Sequence, residues 1–199
     1  MRRYTLELCK QVRPERQTFV FSATWNKGVE DLASSVIPQT AKPVRISLAP
    51  GSKENGHQPA REGIQQEVIV IDFPSDQERQ NAEKEKRLFE HIDRVMAHSE
   101  NHKVLIFVSH MHRADQLTSK MWENNLKWVA AMHGGKSLES RLWTLDQFRK
   151  GELRLLVATD VVGRGMQMPS VSHVVIFEMG TIDDYVRRIS RSARGKYGR

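Results

Sequence analysis

The chain has 199 residues, of which 39% are hydrophobic, and a formal net charge of +7. This apolar content is enough for a packed core, but no run approaches the roughly 18 apolar residues of a membrane span. The charge favours a polyanionic partner such as nucleic acid, with a merely solvated basic surface as the alternative. Cys9 is the only cysteine, which excludes an internal disulfide and indicates an intracellular location, in nucleus or cytoplasm. The N-terminal arginines have no apolar segment behind them, so no signal peptide is predicted.

Residues 1–48 predict a short strand–helix–strand piece behind the end of a helix. Residues 4–12 have the pattern of a helix, and strands are predicted at 18–21 and 44–48, with an amphipathic helix between them. A piece this small does not bury enough surface to fold alone. Residues 49–63 are rich in Pro, Gly, Ser and Asn, which predicts a flexible linker.

Residues 64–199 alternate predicted strands with predicted amphipathic helices. The strands are expected at 65–73, 104–108, 128–132, 153–158 and 174–177. The helix before the fourth of these strands is expected to bury Leu138, Leu142, Leu145 and Phe148 and to end at Gly151. Short apolar runs bounded by turn residues indicate strands buried on both faces. The alternation therefore predicts an α/β fold, a parallel sheet with helices on both faces.

Polar and glycine residues follow the predicted strand 153–158. Open α/β sheets bind ligands just beyond the carboxyl ends of their strands, so residues 159–165 are expected to contact an anion. Further along the chain, a short predicted helix carries four arginines. These are Arg187, Arg188, Arg191 and Arg194. The last two are three residues apart and would share one helical face.

Four segments resemble motifs of the DEAD-box RNA helicases. Residues 158–168 resemble motif V and residues 185–194 resemble motif VI, while residues 22–24 match motif III and residues 104–108 match motif IV. They occur in the family's order and at its spacings, over nearly the whole chain. A lone Ser-Ala-Thr would be a weak signal, but four motifs in register are specific.

The resemblance implies a RecA-like helicase fold. Residues 64–199 would be the second, carboxyl-terminal RecA-like domain, ending before its last strand, and residues 1–48 the end of the first. In this family two RecA-like domains close over ATP and single-stranded RNA, and ATP hydrolysis drives RNA unwinding or ribonucleoprotein remodelling. The expected cofactor is ATP with Mg²⁺, bound mainly by the missing first domain. The expected partners are RNA, that missing domain and protein cofactors, with no membrane.

The resemblance also implies roles for individual residues. Arg191 and Arg194 would be the catalytic arginines that contact the γ-phosphate, because a guanidinium stays charged and binds two oxygens at once; a solvated basic helix is the alternative. The positions implied to contact ATP are Gly165, Gln167 and Asp160. The positions implied to contact the RNA backbone are Ser109, His110, Gly134, Arg141 and Thr159. The positions implied in interdomain coupling are Ser22, Thr24, Arg187 and Arg188.

Three of these roles have plain structural alternatives. Asp160 is expected to orient a motif VI arginine, but it could instead cap the turn that follows it. Arg141 could be an ordinary surface arginine. Ser22 and Thr24 could simply cap the next helix.

Several residues depart from the family pattern. Gln167 replaces an aspartate that contacts the ribose, Arg187 replaces a histidine, and Ser190, Leu138 and Gly135 replace a glycine, a glutamine and an aspartate. The first two changes affect ATP affinity and its coupling to RNA. They favour a second hypothesis, a catalytically degenerate RNA-binding module with a helicase fold. The chain also has no convincing P-loop and no Asp-Glu-Ala-Asp sequence, so these 199 residues alone are predicted not to hydrolyse ATP.

Two other patterns in the sequence resemble ligand sites. Residues 130–137 nearly fit a P-loop, with Lys136 as its lysine, which would make a nucleotide-binding protein of another kind. Met132 and His133 would crowd the phosphates there. The eight histidines have no spacing typical of a zinc site, so no metal is predicted.

Overall fold

The computed structural model describes residues 2–13, 15–22, 25–38, 41–46, 64–160 and 171–192. The chain divides into two compact units between Pro59 and Ala60, inside the segment predicted as a linker. The domain bounds at 48 and 64 remain predictions. Within the described ranges, no helix combines the length and the apolar character needed to cross a membrane.

The first unit contains two helices, α1 (Arg2–Gln11) and α2 (Lys27–Val36). Helix α2 begins at Asn26, whose side chain accepts a hydrogen bond from the Val29 N–H at 3.0 Å, as an N-cap does. At its other end, Arg16 Nη2 donates to the Val36 carbonyl at 2.9 Å. The helices predicted in this part of the chain are therefore confirmed.

The strands predicted at 18–21 and 44–48 are wrong for the residues that can be seen. Residues 18–21 and 44–46 belong to no sheet, and Phe21 and Val44 are 90% and 84% exposed. A strand must bond its backbone to a neighbouring strand, and the described part of this unit has no strand to offer.

The second unit is a parallel sheet with helices on both faces. Its elements are α3 (Gln77–His98), β1 (Val104–Phe107), α4 (Met111–Glu123), β2 (Val129–Met132), α5 (Leu138–Lys150), β3 (Leu155–Ala158), β4 (His173–Ile176) and α6 (Ile182–Ile189). The strands lie in the order β2-β3-β1-β4, and every pair is parallel. The predicted fold class is confirmed.

Alternate residues of the central strands enter two separate cores. Val104 and Ile106 of β1 face one core with the apolar residues of α3 and α4. Leu105 and Phe107 face the other with Phe148 of α5. Because both faces are covered, β1 and β3 are buried at every position, which explains why their sequences are continuous apolar runs.

Two predictions for this unit need correction. Residues 65–73 form no strand, and Val68 and Val70 are 78% and 84% exposed. Leu138 and Leu142 are 59% and 55% exposed, whereas α5 buries Thr144, Leu145 and Phe148. The buried face of α5 therefore lies in the second half of the helix, and Leu138 and Leu142 in the first half face solvent. Gly151 does end the helix, at φ 92°, a left-handed conformation that glycine adopts readily.

Candidate functional site

The carboxyl ends of three parallel strands bring five of the predicted site residues to one edge of the sheet. Phe107 of β1 and Met132 of β2 both pair with Ala158 of β3. The residues that follow these strand ends therefore lie along the same edge. They are Ser109 and His110 after β1, His133 and Gly134 after β2, and Thr159 and Asp160 after β3.

Asp160 binds Arg188 through two parallel hydrogen bonds. Arg188 Nε donates to Oδ1 at 2.8 Å and Nη2 donates to Oδ2 at 2.6 Å. Nη1 donates to the Glu178 carbonyl at 2.7 Å, so each guanidinium nitrogen has a partner. Arg188 is only 2% exposed, and its hydrogen bonds to Asp160 raise its pKa further. Arg188 therefore anchors α6 to the end of β3.

Asp160 thus contacts an arginine of the motif VI segment, as its expected orienting role requires. The role of Asp160 toward ATP and that of Arg188 in interdomain coupling remain predictions. Gly165, Gln167, Arg194 and Thr24, which were also given roles, lie outside the described residues. Ser22 is exposed. It does not cap the next helix, because Asn26 does.

Helix α6 ends before it reaches Arg191. Helix α6 ends at Ile189, and the Ser190 and Ser192 hydroxyls donate to the carbonyls of Arg187 and Ile189 at 2.9 and 2.8 Å. Serine hydroxyls that bond locally to the backbone compete with helix formation. Arg191 therefore lies in a turn, 8% exposed. The expectation that it shares a helical face with Arg194 is wrong for Arg191.

The start of α6 is fixed by a capping box. Thr181 Oγ1 accepts from the Asp184 N–H at 3.2 Å, and the Asp184 carboxylate accepts from the Thr181 N–H at 2.9 Å. The Thr181 hydroxyl also donates to that carboxylate at 2.7 Å. These hydrogen bonds, with help from Arg187, lower the pKa of Asp184 to about 2. Arg187 is bound to Asp184 within its own helix.

Two predicted RNA-contact residues keep unbonded polar atoms at this edge. Thr159 is 5% exposed, and its backbone N–H donates to the Met132 carbonyl at 3.2 Å. Its Oγ1 and the Nε of Arg141 are buried without a hydrogen-bond partner in the described structure. Burying a polar atom unbonded costs free energy, so either atom would be stabilised by a bonding partner.

The loop after β2 is held by Asp115 of α4, a residue that the sequence did not single out. The Asp115 carboxylate lies 3.1 Å from His133 Nε2 and 2.9 Å from Lys136 Nζ. His133 Nδ1 accepts from the Gly135 N–H at 3.2 Å. Nε2 therefore carries the ring hydrogen and donates a hydrogen bond to Asp115. Burial alone would raise the pKa of Asp115, but the hydrogen bonds from Lys136 and His133 outweigh it and lower the pKa.

These contacts argue against the P-loop hypothesis. A P-loop directs its backbone amides and its lysine at phosphates. Here the Lys136 ammonium is paired with Asp115. The Gly135 N–H donates to His133 Nδ1 at 3.2 Å, and the Lys136 N–H donates to the His133 carbonyl at 3.1 Å.

Glu178 is a second residue that the sequence analysis missed. Its carboxylate accepts from the Ser109 N–H at 2.7 Å. Its position, directly after the apolar run of β4, is the signal that would have found it, since Asp160 follows β3 in the same way. Asp115 sits one turn inside a helix and gives no such signal. Within the described residues, no group of three or more His, Cys, Asp or Glu side chains could hold a metal ion.

Comparison with known proteins agrees with this fold. The helicase conserved C-terminal domain family matches residues 83–196, more than half of the chain. The ATP-dependent RNA helicase DBP2 of Candida albicans is 37% identical over 191 residues, covering 95% of this chain and 31% of the relative. The chain thus spans about a third of that relative's length.

Two solved structures are similar to the chain. S. cerevisiae Dbp5 bound to RNA and ADP BeF3 has a TM-score of 0.73 at 23% identity, over 98% of this chain and 46% of that one, which shows the fold. Mss116p DEAD-box helicase domain 2, bound to an RNA duplex, has a TM-score of 0.53 at 28% identity, over 58% of this chain and 47% of that one. The fold and the site define a RecA-like helicase domain. The chain belongs to the helicase conserved C-terminal domain family, among its DEAD-box members.

Proposed function

We propose that this chain is part of an ATP-dependent RNA helicase and supplies the second RecA-like domain. The observation that carries the proposal is the junction at Thr159 and Asp160, two consecutive residues with different surroundings, which we assign to RNA and to the nucleotide side respectively. The Thr159 hydroxyl, on the predicted RNA side, is buried and has no hydrogen-bond partner among the described residues. Asp160 fixes Arg188, and with it the segment that carries the predicted phosphate-binding arginines.

On the RNA side, the sugar-phosphate backbone is the proposed ligand. Ser109, His110 and Gly134 are exposed at the edge of the sheet, and Arg141 stands in the first turn of α5. Cations, hydroxyls and backbone amides bind phosphate and ribose without reading bases. Mss116p domain 2 has been solved with an RNA duplex, which supports RNA binding by a domain of this kind.

On the nucleotide side, ATP with Mg²⁺ is proposed to bind mainly to the first RecA-like domain of the parent protein. The described residues fit a supporting role there. Arg188 has every guanidinium nitrogen engaged, so it positions the segment and does not bind phosphate. Arg191 and Arg194 are proposed to stabilise the charge that develops on the γ-phosphate during transfer.

RNA binding by the chain itself tests the first half of the proposal. Anisotropy of a labelled single-stranded oligonucleotide should show Arg141→Ala weakening binding by about 1–3 kcal/mol, with the salt slope reduced by about 1. Arg149→Ala is the matched control, because Arg149 is exposed in the last turn of the same helix. Equal affinities for both variants and the unaltered chain would contradict the assignment of Arg141.

The second candidate is a catalytically degenerate RNA-binding module. Arg187 favours it, because a fixed cation bound to Asp184 stands where the family has a titratable histidine. ATP turnover by the parent protein, measured with and without RNA, separates the two. RNA-stimulated turnover supports the helicase, and RNA binding without turnover supports the module.

A further inference from the structure

Glu178 contacts two separate parts of the site. Its Oε2 accepts from the Ser109 N–H at 2.7 Å, in the loop after β1. Its backbone carbonyl accepts from Arg188 Nη1 at 2.7 Å, in α6. We infer that Glu178 is a positioning residue that couples RNA contact at Ser109 to the placement of the arginine segment. This inference rests on the proposed function, since it takes RNA as the ligand at Ser109.

The backbone around Glu178 is suited to transmit a displacement. The N–H groups of Phe177 and Glu178 both donate to the Phe107 carbonyl, at 3.0 and 3.3 Å. The Arg188 guanidinium lies 5.3 Å from the centre of the Phe107 ring. The ends of β1 and β4 and the guanidinium of Arg188 therefore form one packed group around Phe107. Ser109 follows Phe107 by two residues.

A carboxylate at this position does what a neutral side chain could not. Its second oxygen, Oε1, lies 3.5 Å from Arg113 Nε, and the side chain is 25% exposed. Charge-assisted hydrogen bonds are stronger than neutral ones. The Ser109 N–H is thus held by a residue that is itself held by α4 and packed against α6. Coupling between sites travels through contiguous networks of this kind.

Glu85 provides a matched control for the ion pair with Arg113. Its Oε1 lies 3.2 Å from Arg113 Nη2, and its Oε2 lies 2.6 Å from Lys120 Nζ. Glu85→Gln therefore weakens the same arginine's ion pairing and leaves the Glu178 acceptor for Ser109 in place. A change seen with Glu178 variants and not with Glu85→Gln comes from the Ser109 contact.

Two conservative variants separate the charge of Glu178 from its reach. Glu178→Gln removes the charge but keeps an oxygen that can accept from Ser109. Glu178→Asp keeps the charge but draws the carboxylate back by one methylene. Without RNA, we expect Glu178→Asp to speed amide hydrogen exchange at Ser109 by about tenfold, as for loss of one hydrogen bond, and to shift the Arg188 Nε–H resonance. Glu178→Gln keeps an acceptor but makes a weaker, neutral hydrogen bond, so we expect a smaller change in the same direction. Glu85→Gln should leave both signals near the original values. Unchanged signals in Glu178→Asp, or equal changes in Glu85→Gln, would overturn the inference.

Adding RNA tests the coupling itself. A single-stranded oligonucleotide should shift the Arg188 Nε–H resonance in the unaltered chain. In Glu178→Asp it should still bind but produce little of that shift. RNA that binds the unaltered chain without moving the resonance overturns the coupling alone. No RNA binding in any variant overturns the proposed function, and the coupling with it.

Discussion

Arg188 carries a full charge at 2% exposure, and Asp160 is the carboxylate that balances it. Removing one partner of a buried pair leaves the other charge uncompensated, which costs about 3–5 kcal/mol. The Asp160 side chain is 36% exposed, so we expect the low end of that range, about 3 kcal/mol, for Asp160→Asn. Urea unfolding followed by circular dichroism measures it.

The control for this prediction is Asp146→Asn. Asp146 lies 2.6 Å from Lys150, but both side chains are largely in solvent, at 44% and 59% exposure. Exposed pairs contribute about 0–1 kcal/mol. If Asp160→Asn destabilised the chain no more than Asp146→Asn, the anchoring role of Arg188 would have to be abandoned.

Four histidines form a continuous chain of ring contacts near the amino ends of β1 and β4. The ring centres of His102 and His173 are 5.1 Å apart, those of His91 and His173 are 5.8 Å apart, and those of His98 and His102 are 5.9 Å apart. Burial, then the charge of His102, lowers the pKa of His173. Burial, then the charge of Arg94, lowers the pKa of His91, against an opposing effect of Glu67.

These shifts predict a loss of stability in mild acid. The folded chain binds protons at His91 and His173 less readily than the unfolded chain, whose histidines have a pKa near 6.5. The stability they contribute is complete above that pH and falls as the pH drops below it. Unfolding midpoints measured from pH 7.5 to 5 should decrease, and His173→Gln should flatten the decrease. The exposed His112, changed to Gln, should leave the slope as it was; a slope unaffected by His173→Gln would refute the prediction.

At the scale of elements, an apolar pattern predicts a strand correctly where the described chain also supplies a neighbouring strand. The apolar runs at 104–107 and 155–158 find each other as neighbours in the sheet, so their burial could be read directly. Residues 18–21, 44–46 and 65–73 have equally good strand patterns, but a pattern does not supply the neighbouring strand whose backbone must be bonded.

Helix α5 shows how a periodic pattern can be rotated away from the predicted face. Leu138, Leu142, Leu145 and Phe148 fit one stripe in the sequence, but the cores accept only Leu145 and Phe148, which are 6% and 0% exposed. Leu145→Ala should cost about 2–5 kcal/mol in unfolding free energy. Leu138→Gln should change it by no more than about 0.5 kcal/mol. A large loss with Leu138→Gln would mean that the originally predicted face is the correct one.

Helix α6 shows a different limit of sequence-based prediction. Its C-terminal end depends on hydrogen bonds from serine hydroxyls, which helix propensity alone does not predict. The arginine spacing suggested a helix that continues past Arg191. The hydroxyls of Ser190 and Ser192 instead bond to nearby carbonyls, and the helix stops at Ile189. The capping box at Thr181, by contrast, follows from local sequence.

For the molecule as a whole, the sequence located the edge of the sheet but not the contacts that organise it. Thr159 and Asp160 could be predicted because a ligand site lies beyond strand ends. Glu178 follows β4 in the same way, so its place could be predicted, but its contact with residue 109 could not. Asp115 gives no such signal, and its partners lie far away in the chain, at 133 and 136. Long-range pairings between polar side chains leave no periodic trace in a single sequence.

We propose that the edge formed by the strand carboxyl ends positions the arginine segment for phosphoryl transfer. We also propose that the parent protein binds RNA. The most direct measurement is RNA-stimulated ATP turnover by that parent with Arg191 and Arg194 both changed to alanine, and RNA affinity measured beside it to confirm a folded site. We expect a loss of about a thousandfold or more, as for other arginines that stabilise phosphoryl transfer, while Arg149→Ala turns over normally. Turnover by the double variant at the rate of the unaltered protein would contradict the account.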